Sequence, residues 1–303
     1  MVKLDIITGF LGSGKTTLIK KLLNSLDNDE KIVLIENEFG DVSVDREVLE
    51  IEGFEIYELS NGCVCCKLKG DFIATLKQII AQKVDRIIFE PSGIFIINEI
   101  SGLFNDWEIS ENCYINSVTT VVDAQNFTNH ISGYAGFFKS QICNAATIVM
   151  SKTQFLPAEV VSQIEIELLL LNETAKIISK DWEELTDQEI LSFVDKKPTF
   201  VAKDFEDSAH STHSLGHEFE SIGLRTSKVL ESKQLENILL KCESGNYGNI
   251  LRGKGFIQSD KGFLEFQYVS GHYTITASKG VSSGIVCFIG RNLQKEPLTA
   301  FFQ

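Results

Sequence analysis

Apolar positions along the chain fall into two alternating rhythms. Residues 3–8, KLDIIT, form a short apolar run interrupted by Asp5, which predicts a buried strand. Residues 17–26, TLIKKLLNSL, then repeat apolar positions at Leu18, Leu22 and Leu26, the spacing of one helix face. The alternation continues. Strands are predicted at 31–36 (KIVLIE), 86–90 (RIIFE), 117–124 (SVTTVVDA), 146–151 (ATIVMS) and 175–179 (AKIIS). These runs are rich in β-branched residues and largely apolar, as suits strands covered on both faces. Helical spacing fits 71–82 (DFIATLKQIIAQ) and 157–172 (PAEVVSQIEIELLLLN), with Pro157 near a first turn.

The expected fold class is therefore α/β: one domain over residues 1–200, with helices packed on a mostly parallel sheet. Residues 201–218 are polar and read as a linker. Residues 219–303 change character, with one helix over 232–244 and short runs at 250–258, 262–269, 272–277 and 284–290 separated by Gly and Ser. That pattern predicts a smaller α+β domain with an antiparallel sheet. No internal repeat or low-complexity tract is evident.

With 303 residues, 43% hydrophobic and 23% charged, the chain can bury one large core or a large and a small one. Seven cysteines, odd in number and scattered apart from one cluster, argue against a disulfide framework and for a reducing, cytoplasmic setting. The apolar start is broken by Asp5 and followed at once by glycines, which reads as a strand rather than a signal peptide. No run approaches the roughly 20 apolar residues of a membrane span, so no membrane partner is expected. A net charge of −14 disfavours nucleic acid as a partner. Any phosphate bound here must be held locally.

The local holder is GFLGSGKT at 9–16, a G-x-x-x-x-G-K-T loop between a predicted strand and a predicted helix. Its glycines let successive backbone N–H groups point inward. Lys15 can reach the β and γ phosphates, and Thr16 can offer its hydroxyl to Mg²⁺ at the positive end of a helix. Gly12, Ser13, Gly14, Lys15, Thr16 and Thr17 are the candidate phosphate-binding residues. As a loop side chain, Lys15 is expected to be exposed and to contribute little packing.

The segments GFLGSGKTT, IENEFGDVSVD, ELSNGCVCC and VVDA, with ILRGKGFI and CFIGR near the end, together resemble the CobW-type family of P-loop GTPases. The resemblance runs through nearly the whole chain, and its most specific element is Cys-x-Cys-Cys after Asn-Gly. It implies GTP hydrolysis coupled to delivery of a transition metal, zinc first and cobalt or nickel as alternatives, to a client metalloprotein. It also implies a first switch region at Glu36, Asn37, Glu38 and Asp41, with Glu36 or Glu38 as metal ligands. Glu90 is expected near the Mg²⁺ or its waters, with the Gly93 N–H facing the γ phosphate. Lys15 and Glu90 are thus the candidate catalytic residues. Two departures stand out. Ser151, Lys152, Thr153 and Gln154 occupy the place of Asn-Lys-x-Asp, so a neutral amide replaces the carboxylate that would accept from guanine N1–H and N2–H₂. Ser151, Lys152 and Gln154 remain the candidate base-site residues, with weaker base selectivity expected. After EPSG the chain continues Ile94, Phe95, Ile96, Ile97 rather than Ala-Asp-Pro.

Cys63, Cys65 and Cys66 follow Gly62, so one tight loop can turn three sulfurs toward a point. Three thiolates leave a fourth, exchangeable position on Zn²⁺, as a transfer site requires. Small packing residues and a redox dithiol are the alternative readings. His210, His213 and His217 form a second, weaker metal candidate or a plain polar linker. His130 and His272 carry no functional expectation. Cys113, Cys143, Cys242 and Cys287 read as packing residues. A metabolic P-loop kinase and a metal-buffering module without productive hydrolysis are the competing functions, and a homo-oligomer is compatible with the sequence.

Overall fold

The structure is a computed structural model and describes residues 1–27, 29–37, 55–59, 67–95, 97, 100, 102–194, 219–278, 281 and 283–303. Its larger sheet has seven strands, β1 (Val2–Gly9), β2 (Ile32–Glu36), β3 (Ile56–Glu58), β4 (Arg86–Glu90), β5 (Cys113–Asp123), β6 (Thr147–Ser151) and β7 (Lys176–Ile178). Their order across the sheet is β3-β2-β4-β1-β5-β6-β7. The pairings β2–β4, β4–β1, β1–β5, β5–β6 and β6–β7 are all parallel. Every residue of β4 and of β6 is buried, which is why apolar residues fill the middle of both runs.

Helix α1 (Lys15–Ser25) follows β1 and buries Leu18, Ile19, Leu22 and Leu23. Each fully buried side chain of this kind is worth roughly 1.5–3 kcal/mol. Helix α2 (Lys67–Ala81) precedes β4, with Leu76 and Ile79 in the core. Helix α3 (Trp107–Asn112) is capped by Asp106, whose carboxylate accepts from the backbone N–H of Glu108 and Ile109. Helices α4 (Phe127–Gly133) and α5 (Ala135–Cys143) lie between β5 and β6, and α6 (Ala158–Leu171) leads to β7. Helix α7 (Asp187–Leu191) opens with a capping box formed by Thr186 and Glu189.

Asp5, the one carboxylate within β1, is fully buried. Its carboxylate pairs with Arg86 on β4 and accepts from Ser117 Oγ at 2.6 Å and Asn116 Nδ2 at 2.8 Å. Arg86 in turn meets Glu30 at 3.1 Å. Burial holds the Asp5 carboxyl above its usual range, against the pull of Arg86 and the two donors. The interruption in KLDIIT is thus a polar clamp across β4, β1 and β5.

The smaller sheet contains β8 (Glu220–Thr226), β9 (Asn249–Ser259), β10 (Gly262–Val269), β11 (His272–Ser278) and β12 (Gly284–Arg291), ordered β11-β10-β9-β12-β8 with antiparallel pairings. Helix α8 (Ser232–Glu243) supplies Leu235, Ile238, Leu239 and Cys242 to a core shared with Ile257, Phe266, Val286 and Phe288. A last helix, α9 (Lys295–Thr299), buries Leu298 there. Cys113, Cys242 and Cys287 are buried and Cys143 is half-buried, and none of the four forms a disulfide among the described residues. Burial pushes the Cys113 and Cys242 thiols up to about 12, so neither is a ready nucleophile or ligand. Among the described residues no helix is long and apolar enough to cross a membrane.

Candidate nucleotide-binding site

In the larger sheet β1 lies between β4 and β5, and the loop leaving β1 crosses the edge where those strands end. Residues 9–14 turn back on themselves, with the Ser13 N–H donating to the Phe10 carbonyl at 3.2 Å. Gly9, Gly12 and Gly14 take φ of 146°, 74° and 102°, values an L side chain rarely adopts. Helix α1 then starts at Lys15, aiming its first N–H groups at the concave side of the loop. Lys15 is only 8% exposed, because its Nζ donates to the Gly9 carbonyl at 3.0 Å and the Phe10 carbonyl at 3.5 Å. The expectation of an exposed lysine is corrected here: the ammonium folds into its own loop and is already placed where phosphate oxygens would lie.

Thr16, one residue on, donates from Oγ1 to Glu90 Oε1 at 3.2 Å and Oε2 at 3.3 Å. Glu90 ends β4 and is the register partner of Glu36, which ends β2. Both carboxylates are buried, and the Asn37 N–H donates to the Glu90 carbonyl at 2.9 Å. A hydroxyl and two carboxylates at one sheet edge are hard oxygen donors of the kind Mg²⁺ prefers. Three further hydroxyls, Thr8 Oγ1, Ser13 Oγ and Ser92 Oγ, are buried with no hydrogen-bond partner among the described residues. Buried hydroxyls seldom go unmet, and these belong to the residues flanking or forming the loop, so the residues fit a phosphate and its ion. Gly93 comes as close to the loop as backbone can. A Cβ placed on it would sit 2.6 Å from the Leu11 nitrogen and 2.9 Å from its Cα.

At the other end of the loop, Ser151 closes β6 and donates from Oγ to the Ser13 carbonyl at 2.7 Å. Lys152 adopts φ 61° and reaches back to Asp123 Oδ2 at 2.5 Å. Asp123 also accepts from Asn126 Nδ2 at 2.9 Å. Gln154 is exposed. Thr17 is exposed on the first turn of α1.

Two residues that the sequence reading passed over belong to this neighbourhood. Trp182 follows β7, and its indole Nε1 donates to the Met150 carbonyl at 2.8 Å while its ring lies 3.2 Å from where a Cβ on Gly14 would stand. A lone tryptophan in the polar run SKDWEEL, just past a strand end, was the signal available. Gln141, on α5, is fully buried and donates from Nε2 to the carbonyls of Gly93 and Phe95. Glu38, Asp41, Cys63, Cys65, Cys66, His210, His213 and His217 lie outside the described residues. Among the described residues no group of three or more His, Cys, Asp or Glu side chains is placed to hold a metal ion.

Comparison with known proteins decides the family. The nucleotide-binding domain described as CobW/HypB/UreG matches residues 3–179. The chain belongs to the CobW/HypB/UreG family. The C-terminal domain of the cobalamin synthesis protein cobW matches residues 219–303. Among curated relatives of the family, the "Zinc-regulated GTPase metalloprotein activator 1" of Schizosaccharomyces pombe is 33% identical over 195 residues, 61% of this chain and 47% of that protein. The "Zinc chaperone CobW" of a Sinorhizobium species is 35% identical over 182 residues, 50% of this chain and 51% of its own. The chain spans about half the length of these relatives. Among solved structures, the Zn(II)-bound YjiA GTPase from E. coli aligns over 99% of this chain and 98% of its own, at 21% identity and a TM-score of 0.45, an overlap too loose to argue from.

Proposed function

We propose that this protein is a cytoplasmic GTPase that uses nucleotide turnover to load or deliver a transition metal, zinc first, to a client metalloprotein. The observation that carries the nucleotide half is the meeting of Thr16 and Glu90 at the head of a phosphate loop whose lysine is already folded inward. Lys15 neutralises charge on the β and γ phosphates, and the N–H groups of 12–17 cradle them. The Thr16 hydroxyl and the Glu90 carboxylate, with Glu36 beside it, would hold Mg²⁺ or its waters, and that ion supplies charge neutralisation between the phosphates. Gly93 offers its N–H to the γ phosphate. Ser151, Lys152 and Gln154 form the base end.

The metal half rests on sequence and on the zinc-related names that the relatives carry. Cys63, Cys65 and Cys66, with Glu38, are the cargo ligands in this reading. They lie between IENEFGD and EPSG, the two segments that answer to the γ phosphate, so nucleotide and cargo are coupled. Domain limits of 1–200, 201–218 and 219–303 belong to the same proposal.

The test is Zn²⁺ titration of the reduced protein with and without a non-hydrolysable GTP analogue, in wild type and in Cys65→Ser and Cys66→Ser. A coupling of about 1–3 kcal/mol changes zinc affinity roughly 5- to 150-fold between the two states, and GTP affinity by the same factor in return. Both serine variants should lose zinc affinity and the coupling together. Equal zinc affinities in the two wild-type states would sink the delivery mechanism.

A further inference from the structure

Gln141 is a fully buried amide on α5 whose side-chain nitrogen reaches the turn after β4. Its own carbonyl accepts from Thr120 Oγ1 on β5 at 2.7 Å, which ties the residue to the strand ending at Asp123. From that anchor the side chain spans to the segment after β4, where Nε2 donates to Gly93 O at 3.1 Å and to Phe95 O at 3.4 Å. With two carbonyls facing the amide, only the NH₂ end can be turned toward them. Those carbonyls bracket a single turn, closed by the Phe95 N–H donating to the Ser92 carbonyl at 3.0 Å. The turn carries Gly93, packed on the Leu11 backbone without room for a side chain.

The other half of the amide argues that stability is not its purpose. Gln141 Oε1 is buried with no hydrogen-bond partner among the described residues. An apolar side chain of the same length would fill the space without leaving an acceptor unmet. We infer that Gln141 is a positioning residue: it clamps the turn of residues 92–95 so that the Gly93 N–H faces the γ phosphate, and it thereby sets the preference for the triphosphate over the diphosphate. This rests on the nucleotide reading above. Gly93 is the γ-phosphate contact, and Gln141 acts through it by fixing the peptide that follows. A diphosphate does not use that contact, so its binding is independent of the clamp.

The experiment compares Kd for GDP and for a non-hydrolysable GTP analogue in the wild-type chain and in Gln141→Met, which keeps length and removes the donors. The analogue should bind about tenfold more weakly to the variant, the loss expected when hydrogen bonds that hold a contact are removed. GDP should bind within about twofold of wild type. Equal losses for both nucleotides, or no loss for either, would overturn the clamp. Thermal melts report folding; if Gln141→Met does not fold, Gln141→Glu, which keeps the shape and turns a carboxylate toward the two carbonyls, is measured in its place with the same expectation. Failure of both to fold would mean a packing role and would overturn the inference. A wild-type chain that binds neither nucleotide would overturn the nucleotide reading itself and this proposal with it. A wild type that binds both, with an unchanged ratio in the variants, overturns only the role of Gln141.

Discussion

Lys152 Nζ lies 2.5 Å from Asp123 Oδ2, joining the residue after β6 to the last residue of β5. Asp123 has no solvent exposure, and Lys152 is held at φ 61°, so the pair ties together the ends of β5 and β6. In the base site proposed above the pair would be a floor and Gln154, which is exposed, an edge. Floor and edge have separable effects. Asp123→Asn should weaken binding of GTP and ATP alike, since it loosens the lysine without touching base atoms. Gln154→Asp should raise the preference for GTP over ATP about tenfold, equivalent to about 1.4 kcal/mol, by restoring a charged acceptor. Competition binding of the two nucleotides to both variants checks this, and an unmoved GTP/ATP ratio in Gln154→Asp means the residue does not read the base.

Lys15→Ala should abolish measurable nucleotide binding and hydrolysis. Since the side chain is 8% exposed and bonded to loop carbonyls, the substitution also removes a buried contact worth about 1 kcal/mol. A small fall in melting temperature is therefore expected alongside the lost activity. Retained hydrolysis in a folded Lys15→Ala protein would remove the NTPase assignment.

The strand and helix that flank the phosphate loop were legible because each carries its period: β1 carries Val2, Leu4, Ile6 and Ile7 around Asp5, and α1 places Leu18 and Leu22 four apart. Strands β9, β10, β11 and β12 were equally plain, being bounded by Gly and Ser. Strand β8 was not, for it follows a polar stretch, contains Gly223 and buries only one of its seven residues. Helices α4 and α5, seven and nine residues long, are too short for a 3.6-residue period to stand out. That cost the reading Gln141, which sits on the second of them. The Thr16–Glu90 and Ser151–Ser13 bonds join residues 74 and 138 positions apart, and no local pattern announces such pairs. Motif knowledge placed the residues; only the fold brought them together.

Trp182 offers a direct optical readout. The chain has two tryptophans, and Trp107 is 75% exposed, so its emission should resemble that of a solvated indole. Trp182 touches the phosphate loop at Gly14 and is tied to β6 through Met150. Nucleotide entering that loop should change its surroundings. Addition of GDP is expected to alter intrinsic fluorescence in wild type and in Trp107→Phe, and to leave Trp182→Phe silent. A response that survives in Trp182→Phe and disappears in Trp107→Phe would place the nucleotide elsewhere.

His130 should make the fold sensitive to acid. Its imidazole is 2% exposed, with ring centroids of Phe10 at 4.7 Å and Phe138 at 5.6 Å, and its Nδ1 has no hydrogen-bond partner among the described residues. Burial pushes its pKa from 6.5 down to about 4; the Asp123 carboxylate pulls it upward and the Lys152 ammonium pushes it further down. A depressed folded value means that the unfolded chain takes up the proton first. The stability is therefore fully present above about 6.5 and is lost as pH falls toward about 4. The gap between the two values corresponds to a loss of up to roughly 3 kcal/mol. His130→Phe keeps an aromatic ring among Phe10, Tyr134 and Phe138 and removes the proton site. Urea unfolding of wild type and variant at pH 7, 5.5 and 4.5 checks the linkage: the stability difference between them should shift in favour of the variant at each lower pH. Parallel curves at all three values would show that His130 remains equally protonated in the folded and unfolded chains, and the acid sensitivity would then belong to other groups, Asp5 excepted, since its raised carboxyl value favours the fold at low pH.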